Sequence, residues 1–294
     1  MKVAVVGGSG FVGRPTVERL LELGAQVSVL RRENARHPRE IQLSGLDDVT
    51  VGHALRALRP DAVLNLAWTT QHGAFWSSPE NERYLDFAKR LPRLARDAGA
   101  SRYIGVGSAA EYPSGFRCRS GSRSYLLPPS TYGRAKLQAC WSTLQAGLAE
   151  SISVAWARIF QVYGPGEPAA KLVSRAVLHF RDGAPLRLEA PNSVLDWIYI
   201  DDVAAVLAEL CLSERAGVFN IATGMGIEAS SVVDVVGSVL QKRSHATRRT
   251  DGSGATGESL IACRDESLLR RSDKQLLGIE DGIRAFLNAA TTGL

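Results

Sequence analysis

Apolar positions cluster in short, near-continuous runs. KVAVV at 2–6 is followed by three glycines, and a helical pattern then runs from Thr16 to Leu23, closed by Gly24. The same rhythm recurs in VSVL at 27–30, AVLNLA at 62–67, YIGVGS at 103–108 and SVAWARI at 153–159. Helical segments at Leu55–Leu58, Asn81–Ala98 and Tyr132–Ala149 separate these runs, the second interrupted or bent at Pro92. Strands apolar at every position, not every second one, belong to a sheet covered on both faces. Strands alternating with helices predict that this sheet is parallel. The fold class is therefore α/β, a doubly wound parallel sheet followed by a smaller C-terminal lobe. Beyond Val162 the rhythm weakens; VFNIA at 218–222 reads as a late strand. Gly115 to Pro129 and HATRRTDGSGATGES at 245–259 read as loops, and there is no internal repeat.

Composition narrows the class. The 294 residues allow one large domain or two lobes, and 45% hydrophobic with 22% charged residues is an ordinary soluble balance. No run reaches transmembrane length, and the chain enters a strand without a basic and apolar leader. The expectation is a cytoplasmic protein with no membrane partner. The four cysteines form no CxxC or metal spacing, so free thiols and no metal are expected. A net charge of +5 suits anionic ligands. The densest basic stretch, RRENARHPR at 31–39, lacks interleaved aromatics and gives no reason to expect nucleic acid.

The glycines turn this architecture into a candidate cofactor site. Gly7, Gly10 and Gly13 stand in GGSGFVG between the first strand and its helix. Missing side chains there permit a tight turn, close approach of a pyrophosphate and close packing of helix on sheet, while the helix N-terminus offers unpaired N–H groups. Ser9, Phe11 and Val12 complete the loop. A carboxylate at the end of the second strand would bind the ribose hydroxyls of NAD, but here VSVLRR places Arg31 and Arg32, which suit a 2′-phosphate. NADP, as NADPH, is favoured over NAD. Asp48, or Asp47, is placed to reach the adenine edge.

Tyr132 and Lys136 lie four apart in YGRAK, on one helical face. An ammonium beside a phenol favours phenolate, which makes proton exchange with a substrate oxygen feasible near neutrality. Ser108 ends the fourth strand, at the sheet edge where ligands bind, and its hydroxyl suits the same oxygen. No GxSxG elbow supports a hydrolase.

GGSGFVG, NLAW at 65–68, GSAAEY at 107–112, YGRAK, RIFQVYGPGE at 158–167, DWIYIDDVA at 196–204 and GVFNIATG at 217–224 occur in order. Together they resemble the extended short-chain dehydrogenase/reductase family of the NAD-dependent epimerase/dehydratase type. The resemblance implies a Rossmann-type NADP-binding domain over 1–162, joined by approximately 194–222, and a substrate-binding lobe over 163–193 and 223–294. It implies Ser108, Tyr132 and Lys136 as catalytic and Leu66 and Ala67 as lining the cofactor.

Family dehydratases carry Asp-Glu after the catalytic hydroxyl residue, where this chain has Ala109 and Ala110. LAWTTQHGAFWSSPEN at 66–81 looks like that of NDP-4-keto-6-deoxyhexose reductases. The implied substrate is a nucleoside-diphosphate sugar. His72, Trp76 and Asn81 border it or are core or surface residues, Gln161 bears on sugar orientation, Glu111 is structural or contacts substrate, and Lys171, Arg175 and Arg187 are candidates for its diphosphate. Asp202 reads as a buried anchor. NADPH-dependent keto-sugar reduction is preferred, with epimerisation through transient oxidation and a non-catalytic NADP-binding role as alternatives. Helices near 81–98 and 132–149 resemble those that pair family subunits, so a homodimer is expected.

Overall fold

The computed structural model describes residues 1–32, 34–69, 71, 73–113, 115–119, 124–242, 247–248, 259–264, 268–270 and 274–292. Its large sheet contains β1 (Lys2–Val6), β2 (Gln26–Arg31), β3 (Glu40–Gln42), β4 (Ala62–Asn65), β5 (Arg102–Ser108), β7 (Ser153–Ile159), β11 (Gly217–Ile221) and β15 (Leu268–Leu269). The spatial order is β15-β11-β7-β5-β4-β1-β2-β3, with every pairing parallel. A second sheet joins β6 (Phe116–Arg119), β8 (Gln161–Tyr163), β10 (Val194–Tyr199), β12 (Gly226–Glu228) and β14 (Ser259–Ala262), while β9 (Arg187–Leu188) pairs with β13 (Thr247–Arg248). The helices are α1 (Gly13–Glu22), α2 (Asp48–Leu58), α3 (Glu80–Asp97), α4 (Thr131–Ala149), α5 (Leu172–Asp182), α6 (Ile200–Leu212), α7 (Ala229–Val239) and α8 (Ile279–Thr292).

The apolar runs are strands because both faces of the sheet are covered. On β1, Val3 and Val5 join the core beneath α1 and α6, whereas Ala4 and Val6 join the core beneath α2, α3 and α4. Strand side chains alternate faces, so only a sheet with helices on both sides buries all four. A third core lies between the second sheet and α5, α7 and α8. β10 lies in that second sheet, and the chain then returns through α6 to β11 at the large sheet.

Several elements depart from the local pattern. α2 begins at Asp48, well before the expected Leu55, because Asp47 caps it: its carboxylate accepts from Thr50 N at 2.9 Å. α3 runs through Pro92 as one helix, its neighbours packed in the core. β6 occupies part of the stretch expected to be loop, because pairing with β14 supplies hydrogen bonds that local sequence does not announce. Most of the 245–259 loop lies outside the described residues. Cys140 and Cys211 are free and buried, but Cys263 is disulfide-bonded, which corrects the expectation of four free thiols. Spacing along a chain misses a bridge between segments that only folding brings together. Among the described residues no helix is long and apolar enough to cross a membrane, and no cluster of metal-ligating side chains occurs.

One buried carboxylate ties the second sheet to the first. Asp196 on β10 accepts from Thr223 N at 2.8 Å, Thr223 Oγ1 at 2.6 Å, Gly224 N at 2.8 Å and Ala262 N at 3.2 Å. It thereby joins β10, the turn after β11 and the end of β14. Asp202, at the start of α6, accepts from Leu277 N at 2.9 Å and anchors the approach to α8, as the sequence suggested. Asp196→Ala leaves several buried N–H groups without their acceptor and is expected to lower stability by about 3 kcal/mol, measured by urea unfolding. An unchanged unfolding midpoint would show that the two sheets are held by other contacts.

Candidate active site

The glycine loop connects β1 to α1 at the C-terminal edge of the large sheet. Gly7 has φ +82°, and a Cβ there would stand 2.8 Å from Ala67 N; a Cβ on Gly13 would stand 2.5 Å from Gly7 O. Both positions therefore exclude side chains, one by conformation and contact, the other by close packing of helix on loop. A Cβ on Gly10 would meet only Gly7 O, at 3.4 Å, so this glycine faces open space. Val12 gives α1 no side-chain cap and its first turn has no acidic residue, while Arg14 Nε donates to Ser9 O at 2.9 Å. An open glycine at an uncapped helix N-terminus fits a pyrophosphate. Leu66 continues this wall through its N–H, which donates to Val6 O at 2.8 Å, and Ala67 abuts Gly7.

The two arginines after this strand pair differ. Arg31 is buried and its Nη1 donates to Glu40 Oε1 at 2.8 Å. Hydrogen bonds from Arg36 N–H and from Arg31 hold the Glu40 carboxyl below its usual range. Arg31, expected toward a 2′-phosphate, is thus paired inside the sheet edge. Arg32 is exposed, its guanidinium 5.7 Å from the Tyr84 ring centroid. Asp48, expected at the adenine edge, is ion-paired with Arg90 and with Arg93 of α3, the latter at 3.1 Å.

Ser108, Tyr132 and Lys136 converge where β5 meets α4. Ser130 caps α4, its side chain accepting from Gly133 N at 3.0 Å, and Tyr132 N donates to Trp76 O at 3.1 Å, which fixes the first turn. The Ser108 side chain accepts from Ala110 N at 3.2 Å. Burial pushes the Tyr132 phenol up to about 12, against the pull of the Ser108 side chain, and the Glu111 charge adds to the rise. Burial pulls the Lys136 ammonium down to about 7, with Glu111 opposing. Lys136 Nζ donates to Val106 O at 2.7 Å and stands 5.9 Å from the Tyr132 ring centroid. Burial therefore favours the Tyr132 phenol over the expected phenolate.

A cavity of about 510 Å³ opens beside this group, lined by Trp76, Ser108, Tyr112, Gln161, Leu195 and Leu260 among others, with no charged residue among its described lining. Trp76, Ser108 and Gln161 are therefore brought together as expected. Other expected substrate contacts are elsewhere. Glu111 is fully buried: it accepts from Ser108 N at 2.9 Å, Trp156 Nε1 at 3.1 Å and Arg158 Nε at 2.6 Å. Asn81 is also fully buried, holding Trp68 Nε1 at 2.8 Å, Phe75 O at 2.7 Å and Ser78 O at 2.9 Å. Of the roles left open for them, both take the internal one and not substrate contact. Lys171 Nζ turns inward to Val162 O at 2.5 Å and to Glu167 at 3.7 Å, which corrects it as a diphosphate contact. Arg187 remains exposed, 3.3 Å from Glu189, and its carbonyl accepts from Arg175 at 2.9 Å. His72 lies outside the described residues.

Sequence reasoning missed Arg158 and Trp68. The first had a signal: an arginine in the otherwise apolar run SVAWARI requires a buried acid, and Glu111 supplies it. Trp68 gave no signal beyond its aromatic bulk.

The family of NAD-dependent epimerases and dehydratases matches residues 3–222. A dTDP-6-deoxy-L-talose 4-dehydrogenase (NAD(P)(+)) of Kitasatospora kifunensis is 30% identical over 257 residues, 80% of this chain and 78% of that protein. An ADP-L-glycero-D-manno-heptose-6-epimerase of Nitratidesulfovibrio vulgaris (strain DP4) is 26% identical over 263 residues, 79% of each chain. The solved structure of MoeE5 in complex with UDP-glucuronic acid and NAD superposes with a TM-score of 0.85 at 25% identity, covering all of both chains.

Glu111→Ala leaves the Arg158 guanidinium buried without its partner and is expected to cost about 3–5 kcal/mol of stability in urea unfolding. Unchanged stability with altered substrate KM would restore Glu111 to the substrate.

Proposed function

Because this chain belongs to the NAD-dependent epimerase/dehydratase family, we propose that it is an enzyme that reduces a nucleoside-diphosphate keto-deoxysugar with NADPH. The observation that supports this reading is that Ser108, Tyr132 and Lys136 meet beside a cavity whose described lining residues carry no charge. A keto group reduced to an alcohol needs one proton delivered to its oxygen, and a phenol held in its acid form supplies it. The uncharged, largely apolar lining suits a neutral sugar that has lost a hydroxyl. The dehydrogenase relative acts, by its name, on a dTDP-6-deoxy sugar with NAD(P)(+), in keeping with this choice. Ala109 and Ala110 supply no acid or base for dehydration.

In this reading the bound nicotinamide supplies the hydride. Gly7, Ser9, Gly10, Phe11, Val12 and Gly13 hold the pyrophosphate at the α1 N-terminus, with Leu66 and Ala67 as the facing wall. Arg32 carries the preference for a 2′-phosphate. Ser108 holds the sugar oxygen, Tyr132 protonates it, and Lys136 holds the nicotinamide ribose. Trp76 and Gln161 face the sugar, and Arg187 remains the candidate for its diphosphate. The reading includes a homodimer through α3 and α4, where Trp141 and Leu148, seven residues apart on α4, are 54% and 86% exposed.

The epimerase relative supports a second reading, in which a retained cofactor is oxidised and reduced in place. Stoichiometry separates the two. Across a panel of dTDP- and UDP-keto-sugars, the reductase consumes one NADPH per product, followed by absorbance; isomerisation without NADPH loss would favour the epimerase. Tyr132→Phe is expected to lower turnover about 10²–10⁴-fold with NADPH binding retained, measured by cofactor fluorescence; full activity would remove Tyr132 from proton transfer. Arg32→Ala is expected to weaken NADPH binding about tenfold with little change for NADH, in the same titration. Equal losses for both would place the preference elsewhere.

A further inference from the structure

We propose that Trp68 and Asn81 are positioning residues for the Tyr132–Lys136 couple, Trp68 as an aromatic floor beneath the ammonium and Asn81 as the lock that holds this floor in place. The inference rests on the reading above for its catalytic meaning, but not for its geometry.

Trp68 follows β4 and is nearly buried. Its ring lies face-on to Lys136, with Nζ 3.9 Å from the ring centroid, and edge-on to Tyr132 at 6.4 Å and 81°. One aromatic ring thus contacts both chemical partners. Its orientation is fixed from two directions. Tyr84 of α3 stacks against it at 6.0 Å and 28°, and Trp68 Nε1 donates to Asn81 Oδ1 at 2.8 Å. Asn81 donates from the same amide group to Phe75 O and Ser78 O, so its carbonyl cannot exchange with its nitrogen without losing all three bonds. The loop it holds is the one whose Trp76 carbonyl accepts from Tyr132 N. Asn81 therefore fixes the floor under Lys136 and, through that loop, the first turn that carries Tyr132.

The floor has an electrostatic consequence. Lys136 has left water and donates a hydrogen bond to Val106 O. The negative face of an indole replaces part of the lost hydration, and it does so only for the charged form. The titratable and charged groups around Lys136 are Tyr132 and Cys140 on α4, Glu111 in the turn after β5 with Arg158 of β7, Tyr103 on β5, and Tyr84 behind Trp68. Removing the indole changes none of these side chains. It removes a contact that stabilises charge at Nζ, and the ammonium should then deprotonate at lower pH.

The test needs no substrate. The chain has six lysines, so in protein labelled with ¹³C at lysine Cε the Lys136 signal is assigned by its loss in Lys136→Met and followed through a pH titration. In Trp68→Leu the Lys136 midpoint is expected to fall by about one pH unit. In Trp68→Phe, which keeps an aromatic face but loses the bond to Asn81, it is expected to fall by less. An unchanged midpoint in the variants overturns the proposal, even if their stability drops, because a purely structural role moves stability and not this titration. If Trp68→Leu does not fold, Trp68→Phe decides alone: a lower midpoint supports the floor and an unchanged one overturns it. The two readings fail separately. A lowered midpoint together with a fully active Tyr132→Phe would sink the proton-transfer role and leave the positioning intact.

Discussion

The Glu111 carboxylate, fully buried, is the constraint on which the rest of the site depends. A charge taken out of water needs partners on every side, and Glu111 has them in Ser108 N, Trp156 Nε1 and Arg158 Nε. Arg158 in turn donates to Tyr112 Oη at 3.2 Å, and Tyr112 donates to Asn220 on β11 at 2.8 Å. The end of β5, the turn after it, β7 and β11 are thus joined through one polar chain. Ser108 is the point at which that chain reaches the cavity, and its position is set from behind.

A second balance operates at the front. Tyr132 and Lys136 share one helical face, an arrangement that in water would favour phenolate beside ammonium. Here burial acts on both, raising the phenol and lowering the ammonium. The result is a phenol held in its acid form near Ser108, with Lys136 resting on an aromatic face and a carbonyl.

The parts legible in the sequence are those whose signal is local. Apolar runs such as SVAWARI become strands because every position is covered, and the bounds of β7 agree with that reading. The glycine loop is legible because three absent side chains have three steric reasons, two of them visible at Gly7 and Gly13. The Tyr–Lys spacing is legible because a helix turns at a fixed rate. Polar residues near these motifs are harder, because a side chain that anchors the interior and one that greets a ligand look alike until their neighbours are known. Glu111, Asn81, Arg31 and Lys171 all proved to have internal partners. β6 was hidden for a related reason, since its partner β14 lies more than a hundred residues away.

The reaction we propose for this site would move hydrogen from the cofactor to a sugar carbon while Tyr132 delivers a proton to the attached oxygen. The most direct measurement places deuterium on the reactive nicotinamide carbon of NADPH and follows it by NMR into the product formed from a nucleoside-diphosphate keto-sugar. The account predicts one deuterium at the new carbinol carbon for each NADPH oxidised. A rearranged sugar that carries no deuterium from the cofactor, with NADPH unconsumed, would contradict it.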